Sequence, residues 1–122
     1  MEVPANNTNL KISFCTTCKG RLEHLKQTLP ANIEACKGYP NTEFVILDYD
    51  SRDGLEQWIK DNFQEEIKSG LVRYAKLDGA TDFKMAHAKN MVHRLATGDV
   101  LCNVDADNFL ASGTPEYLIE NL

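Results

Sequence analysis

Residues 43–51 read Glu-Phe-Val-Ile-Leu-Asp-Tyr-Asp-Ser. The dense apolar run 43–47 reads as a buried strand. Gly38-Tyr39-Pro40-Asn41 precedes it as a turn, and Asp48 follows it directly. Outward in both directions the same pattern recurs. Lys11 to Cys15 (KISFC) is a short β-rich run, and Arg21 to Leu29 places Leu22, Leu25 and Leu29 at helical spacing before Pro30. Asp53-Gly54 opens a helix with Leu55, Trp58, Ile59, Phe63 and Ile67 on one face, ended by Ser69-Gly70. Leu71 to Leu77 (LVRYAKL) is a strand. Met85, Ala88, Met91, Val92 and Leu95 line a further helix closed by Thr97-Gly98. Val100 to Val104 (VLCNV) is another strand, and Thr114 caps a last helix beginning at Pro115. The order β-α-β-α-β-α-β-α with apolar strands predicts an α/β fold, a mostly parallel sheet flanked by helices on both faces.

The chain has 122 residues, 43% hydrophobic and 25% charged, enough for one core. Residues 1–10 read as a flexible N-terminus and residues 11–122 as the folded domain. The longest apolar run is Phe44-Val45-Ile46-Leu47, whereas a membrane span needs ~20 apolar residues, so no span is expected. No secretory signal is visible near Met1, which points to a cytoplasmic protein. Thirteen basic and eighteen acidic residues give a net charge of −5, which excludes a duplex nucleic-acid partner.

The four cysteines are Cys15, Cys18, Cys36 and Cys102, expected as reduced thiols in that compartment. Cys15 and Cys18 form a C-x-x-C. No second such pair completes a zinc site. If Cys18 lies at a helix start, the pair has the place of a thioredoxin-like dithiol. No proline lies between Pro40 and Pro115 to form the cis-proline loop that such a fold sets beside its dithiol.

In parallel sheets, ligands bind beyond the carboxyl ends of the strands, near the point where strand order reverses. The residues to inspect are therefore Thr16-Thr17, Asp48-Tyr49-Asp50-Ser51, Asp78-Gly79-Ala80 and Asp105-Ala106-Asp107-Asn108. In extended chain Asp105 and Asp107 would point to one side, ~6.6 Å apart. Their repulsion would be roughly 0.6 kcal/mol in water and ~2.5 kcal/mol at an effective dielectric of 20. In a cleft a divalent cation would remove it, and hard carboxylate oxygens select Mg²⁺ or Mn²⁺. The competing reading of Asp-Ala-Asp-Asn is a polar turn. Asp50 and Asp53 read as turn and N-cap residues, and Asp99 as part of the Thr97-Gly98-Asp99 turn. Lys84, His87, Lys89 and Asn90 cluster at a helix start, where an anion would be welcome or where lysines simply meet solvent. Trp58, Met85 and Met91 read as packing, and His87 and His93 as surface residues.

Four stretches together, KISFCTTCKGRLEHLKQTLP, TEFVILDYDSRDG, AHAKN and TGDVLCNVDADNF, resemble the nucleotide-sugar-binding half of family 2 glycosyltransferases, which have the GT-A fold. The resemblance runs over residues 11–113. It implies that Thr16 and Thr17, on the turn after the first strand, lie along the base. Asp48 binds base or ribose. Lys89, in place of the usual Arg, reaches the nucleotide with a less directional contact. Asp105 contacts ribose or the metal, and Asp107 ligates a Mn²⁺ or Mg²⁺ bridging the diphosphate. Tyr49-Asp50 departs from the family's usual Asp-Gly.

The implied activity is metal-dependent transfer of a sugar from a nucleotide-diphospho-sugar, expected as a UDP-sugar, to an unidentified acceptor. The catalytic base is expected outside this chain, which reads as an incomplete GT-A domain supplying the donor half. Two other readings stand beside it: the Cys15/Cys18 oxidoreductase, and a nucleotide-binding fragment without catalysis. An uncovered sheet edge would favour a homo-oligomer.

Overall fold

The structure is a computed structural model and describes residues 10–78 and 85–121, with residues 85 and 86 described as backbone only. Four parallel strands form one sheet: β1 (Ile12–Cys18), β2 (Thr42–Tyr49), β3 (Val72–Leu77) and β4 (Val100–Asn103). Their order is β3-β2-β1-β4, so the direction of winding reverses between β1 and β4. The helices are α1 (Leu22–Ala35), α2 (Leu55–Asn62), α3 (Gln64–Ser69), α4 (Met85–Leu95) and α5 (Thr114–Glu120).

Side-chain alternation divides the core. On one face Ile12, Phe14, Cys18, Phe44, Ile46 and Val72 meet Leu22, Leu25 and Leu29 of α1, Leu55 and Ile59 of α2, and Ile119 of α5. On the other, Cys15, Val45, Leu47 and Tyr49 meet Ala88 and Val92 of α4. All eight residues of β2 are buried because it lies between two strands and beneath helices on both sides. Each large apolar side chain taken out of water there contributes about 1.5–3 kcal/mol. This is the α/β sandwich that the strand–helix alternation predicts.

Several local expectations are corrected. The first strand runs to Cys18, so Thr16 and Thr17 lie within it rather than on a following turn. Pairing to β2 holds through Cys18↔Asp48, and this ladder outweighs the turn preference of the polar residues. Helix α1 continues past Pro30 to Ala35. Pro30 and Lys26 are both exposed, so the carbonyl deprived of its i+4 donor lies on the solvent side. Buried Leu29, Asn32 and Cys36 hold both sides of the proline against the core.

The helix expected from residue 53 to 69 divides at Phe63, whose φ of −129° breaks the α conformation. The Phe63 ring is buried and meets Trp58 edge-on at 5.2 Å, which leaves Ile67 exposed. Asp53 does not cap its own helix. Gly54 occupies that position, and Asp53 Oδ2 instead accepts from the first amide of α1, Leu22 N, at 3.0 Å. Gly113 likewise precedes α5, where Thr114 was expected as cap, and the Thr114 hydroxyl bonds Ala111 O instead. The flexible N-terminus assigned to residues 1–10, apart from Leu10, and the position of Lys84 lie outside the described residues.

Candidate functional site

The carboxyl ends of β1, β2 and β4 share one edge of the sheet, and the β1/β4 boundary is the reversal point at which such sheets form a crevice. Val104 N donates to Cys15 O at 2.9 Å, prolonging the β1–β4 ladder past the strand. Thr16 Oγ1 donates to Val104 O at 2.8 Å. Thr16 is therefore buried on the α1 side with its proton engaged, while Thr17 is half-buried and points to the α4 side. The two threonines do not share a surface.

Beyond Val104 the chain turns. Asn108 N donates to Asp105 O at 3.0 Å, which closes a four-residue turn. Residues 105–107 are therefore not extended as expected, because Ala106 is drawn into the core at 7% exposure. Asp105 and Asp107, on either side of it, are exposed. Among the described residues neither carboxylate accepts a hydrogen bond or forms an ion pair. The stretch is thus a turn, as one of its two readings expects, with both carboxylates exposed.

Asp48, the last residue but one of β2, is in a different state. It is fully buried, with Oδ1 accepting from Ser51 N at 2.7 Å and Oδ2 from the Tyr74 hydroxyl at 2.5 Å. Burial first, then the bond to Asp48 and its charge, push the Tyr74 phenol far above its ordinary range. The loop after Asp48 is tied to β1. Ser51 Oγ donates to Cys18 O at 3.1 Å and accepts from Gly20 N at 3.1 Å, while Lys19 Nζ lies 3.4 Å from the carbonyls of Tyr49 and Asp50.

The Tyr49-Asp50 departure has a structural form. Asp50 has φ 55°, a left-handed conformation that Gly takes freely and Asp tolerates. Its carboxylate meets Arg52 Nη2 at 3.2 Å. Tyr49 is buried under α4 and its hydroxyl lies 3.1 Å from His87 Nδ1, the rings edge to face. His87 is thus held from below although exposed. Lys89, two residues on, is half-buried and has no polar partner among the described residues. His93 bonds Asn103 Oδ1 at 2.7 Å through Nε2, a β4 contact that its reading as a surface residue missed.

The dithiol reading is overturned. Cys15 and Cys18 lie three residues apart in one strand and enter opposite cores. Strand rise separates their Cα atoms by about 10 Å, beyond the reach of a disulfide. Neither lies at a helix start, and burial pushes both thiols up to about 12.

Sequence reasoning also missed Thr28, Asn32 and Tyr74. Thr28 and Asn32 had a signal. They continue the spacing of Leu25 and Leu29, and a polar residue at a core position needs a buried partner. Tyr74 had none, because only strand register places it beside Asp48. A separate cavity of about 590 Å³, lined by Lys11, Ile33, Cys36, Tyr39, Phe44 and Leu71 among others, lies toward the amino ends of the strands and includes none of these crevice residues.

No group of three or more His, Cys, Asp or Glu converges on one point among the described residues. A cation held by two carboxylates, waters and substrate phosphates does not require one. Two exposed carboxylates on a turn, without partners among the described residues, suit that kind of ion.

A four-stranded parallel sheet of order β3-β2-β1-β4 flanked by helices is the arrangement of the GT-A, Rossmann-like fold. The sequence pattern of glycosyl transferase family 2 matches residues 13–122, and the chain belongs to that family. Similar solved structures include a mannosyltransferase from Pyrobaculum calidifontis in complex with GDP-Man and Mn²⁺ (20% identity, TM-score 0.70, 90% of this chain and 30% of that one). TarS of S. aureus, residues 1–349, is similar as well (18% identity, TM-score 0.73, 91% and 32%). So is the same protein in complex with UDP-GlcNAc (16% identity, TM-score 0.71, 91% and 30%). The chain spans about a third of the length of these structures. No curated protein sequence matches it. No described helix is long and apolar enough to cross a membrane.

Proposed function

We propose that these residues bind the nucleotide-diphosphate end of a sugar donor, expected as a UDP-sugar, together with Mn²⁺ or Mg²⁺, for transfer of the sugar to an acceptor. The observation that carries the reading is the turn Asp105–Asn108 at the β1/β4 reversal point, with two exposed carboxylates that have no partner among the described residues. Asp107 would hold the cation, and Asp105 the cation or the ribose. The cation would supply Lewis-acid stabilisation to the departing diphosphate.

The other assignments follow the geometry. Thr17, half-buried at the end of β1, lines the base side, and Thr16 fixes Val104 beneath it. Lys89 on α4, without a polar partner among the described residues, would approach the phosphates as a point charge. Asp48, expected at the base or ribose, would act there through the loop 49–51, since it is fully buried with a protein partner on each oxygen. We assign no residue here as the base for an acceptor. A reducing, cytoplasmic setting is part of the same proposal and is supported by four free thiols.

Calorimetry with UDP and with GDP, each with and without Mn²⁺, tests the reading. Metal-dependent binding that is lost in Asp107→Ala is the expected result. A folded chain that binds neither nucleotide would overturn it.

A further inference from the structure

Helix α1 buries two polar side chains on its core face, Thr28 at 2% and Asn32 at 4% exposure, one turn apart. Both reach across to the main chain that follows Asp105. Thr28 Oγ1 donates to Ala106 O at 2.6 Å. Its contact with its own helix, at His24 O, is longer at 3.2 Å, and one hydroxyl proton serves the shorter bond. Asn32 Nδ2 donates to Asn108 O at 3.1 Å, and Asn32 Oδ1 accepts from Leu110 N at 2.7 Å. These three bonds span residues 106–110 and engage only backbone atoms of that stretch.

Apolar residues at 28 and 32 would continue the Leu25 and Leu29 row and avoid the cost of burying a hydroxyl and an amide. What the polar pair adds is a fixed path for the turn. Its far side carries Asp105 and Asp107 into solvent. A carboxylate pair on a free turn must be ordered when a cation binds. A pair held from behind is already ordered, and partners of metal-binding groups set affinity in this way.

We propose that Thr28 and Asn32 are positioning residues for the divalent cation. They hold residues 106–110 so that Asp105 and Asp107 are preset to bind it with the diphosphate, although neither helix residue touches the ion or the nucleotide. This rests on the reading of the acidic turn as the metal site.

The test is Mn²⁺ binding in the presence of UDP, followed by electron paramagnetic resonance of the free ion. It compares the parent chain with Thr28→Val, Thr28→Ser, Asn32→Asp and Asp107→Ala, each shown to be folded by near-UV circular dichroism. Thr28→Val keeps the shape and removes the donor. Asn32→Asp keeps the acceptor for Leu110 N and sets an oxygen against Asn108 O. Both are expected to weaken Mn²⁺ binding by about 10–100-fold, with Thr28→Ser restoring it. A role in packing alone would lower thermal stability and leave the affinity of the folded fraction unchanged.

If the parent binds Mn²⁺, loses it in Asp107→Ala and is matched by Thr28→Val and Asn32→Asp, the positioning role is overturned and the metal site stands. If the folded parent binds no Mn²⁺ with UDP or GDP, the metal site falls and the positioning role with it. Should Asn32→Asp fail to fold, the Thr28→Val and Thr28→Ser pair decides.

Discussion

The Tyr74 hydroxyl on β3 donates to Asp48 Oδ2 on β2 at 2.5 Å, beside the Asp48↔Lys76 register pair. With Ser51 N on Oδ1, it gives a fully buried carboxylate a partner on each oxygen. Tyr74→Phe would leave Oδ2 buried and unpartnered, at a cost of about 1–3 kcal/mol. The expected outcome is a lower melting temperature with the far-ultraviolet spectrum unchanged. A melting temperature equal to the parent's would show that Asp48 finds another partner.

Glu43 predicts how stability responds to acid. Its side chain is fully buried and accepts from Ser13 Oγ at 2.6 Å, Thr97 N at 2.7 Å and Thr97 Oγ1 at 2.9 Å, with Lys11 Nζ at 3.4 Å. Burial alone would raise its pKa. The hydrogen bonds from Ser13 and Thr97 and the Lys11 charge outweigh that and hold the carboxyl below its ordinary value. A lowered folded pKa means that the stabilisation is present above the unfolded value of about 4.3 and is lost as pH falls through the folded one. Urea midpoints measured from pH 7 to pH 3 should fall in that window, and Glu43→Gln should flatten the fall while lowering the midpoint at pH 7.

The turn that Glu43 anchors also requires a glycine. A Cβ on Gly98 would lie 2.4 Å from Ser13 Oγ, 2.8 Å from Lys11 O and 2.9 Å from Ser13 N. Two of these are backbone atoms of or beside β1, which cannot swing aside. Gly98→Ala is expected to cost about 1–3 kcal/mol through overpacking, read as a lower urea midpoint. Gly70, with open space around it, has φ 87°, so an alanine there would be disfavoured by backbone conformation alone.

The fold was legible because alternation and strand burial are properties of contiguous residues. EFVIL lies in β2, and Leu22, Leu25 and Leu29 do form the inner face of α1. The errors fell where a distant group decides. The helix expected over 21–29 falls short of Ala35 because the sequence does not show that the bond lost at Pro30 faces solvent. Thr16 and Thr17 were read as a turn because the extra β1–β2 pairs depend on residues some thirty positions away. Asp105 and Asp107 were found as a type of residue at a strand end, but their turn was not, since it depends on Ala106 being drawn in and on Thr28 and Asn32 beneath. Asp48 was legible as a position, and its partner Tyr74 was not.

The thiols provide the last prediction. Burial, ahead of nearby negative charges, pushes Cys15 and Cys18 up to about 12 and Cys36 up to about 11, and burial raises Cys102 as well. A thiol reacts as its thiolate, so a disulfide reagent at pH 8 should modify the native chain slowly and the urea-unfolded chain fast, at all four cysteines. The same shifts carry a sign for stability. A folded pKa above the unfolded value of about 8.5 gives a contribution that is complete below that pH and is lost as pH rises toward the folded values. Urea midpoints should therefore decline above about pH 8.5, and Cys18→Ala should reduce the slope of that decline. Since Cys15 and Cys18 face opposite cores, the mass of the chain under mild oxidant should show no internal disulfide between them. A fast-reacting Cys18 in the native chain, or such a disulfide, would mean that β1 does not extend to Cys18.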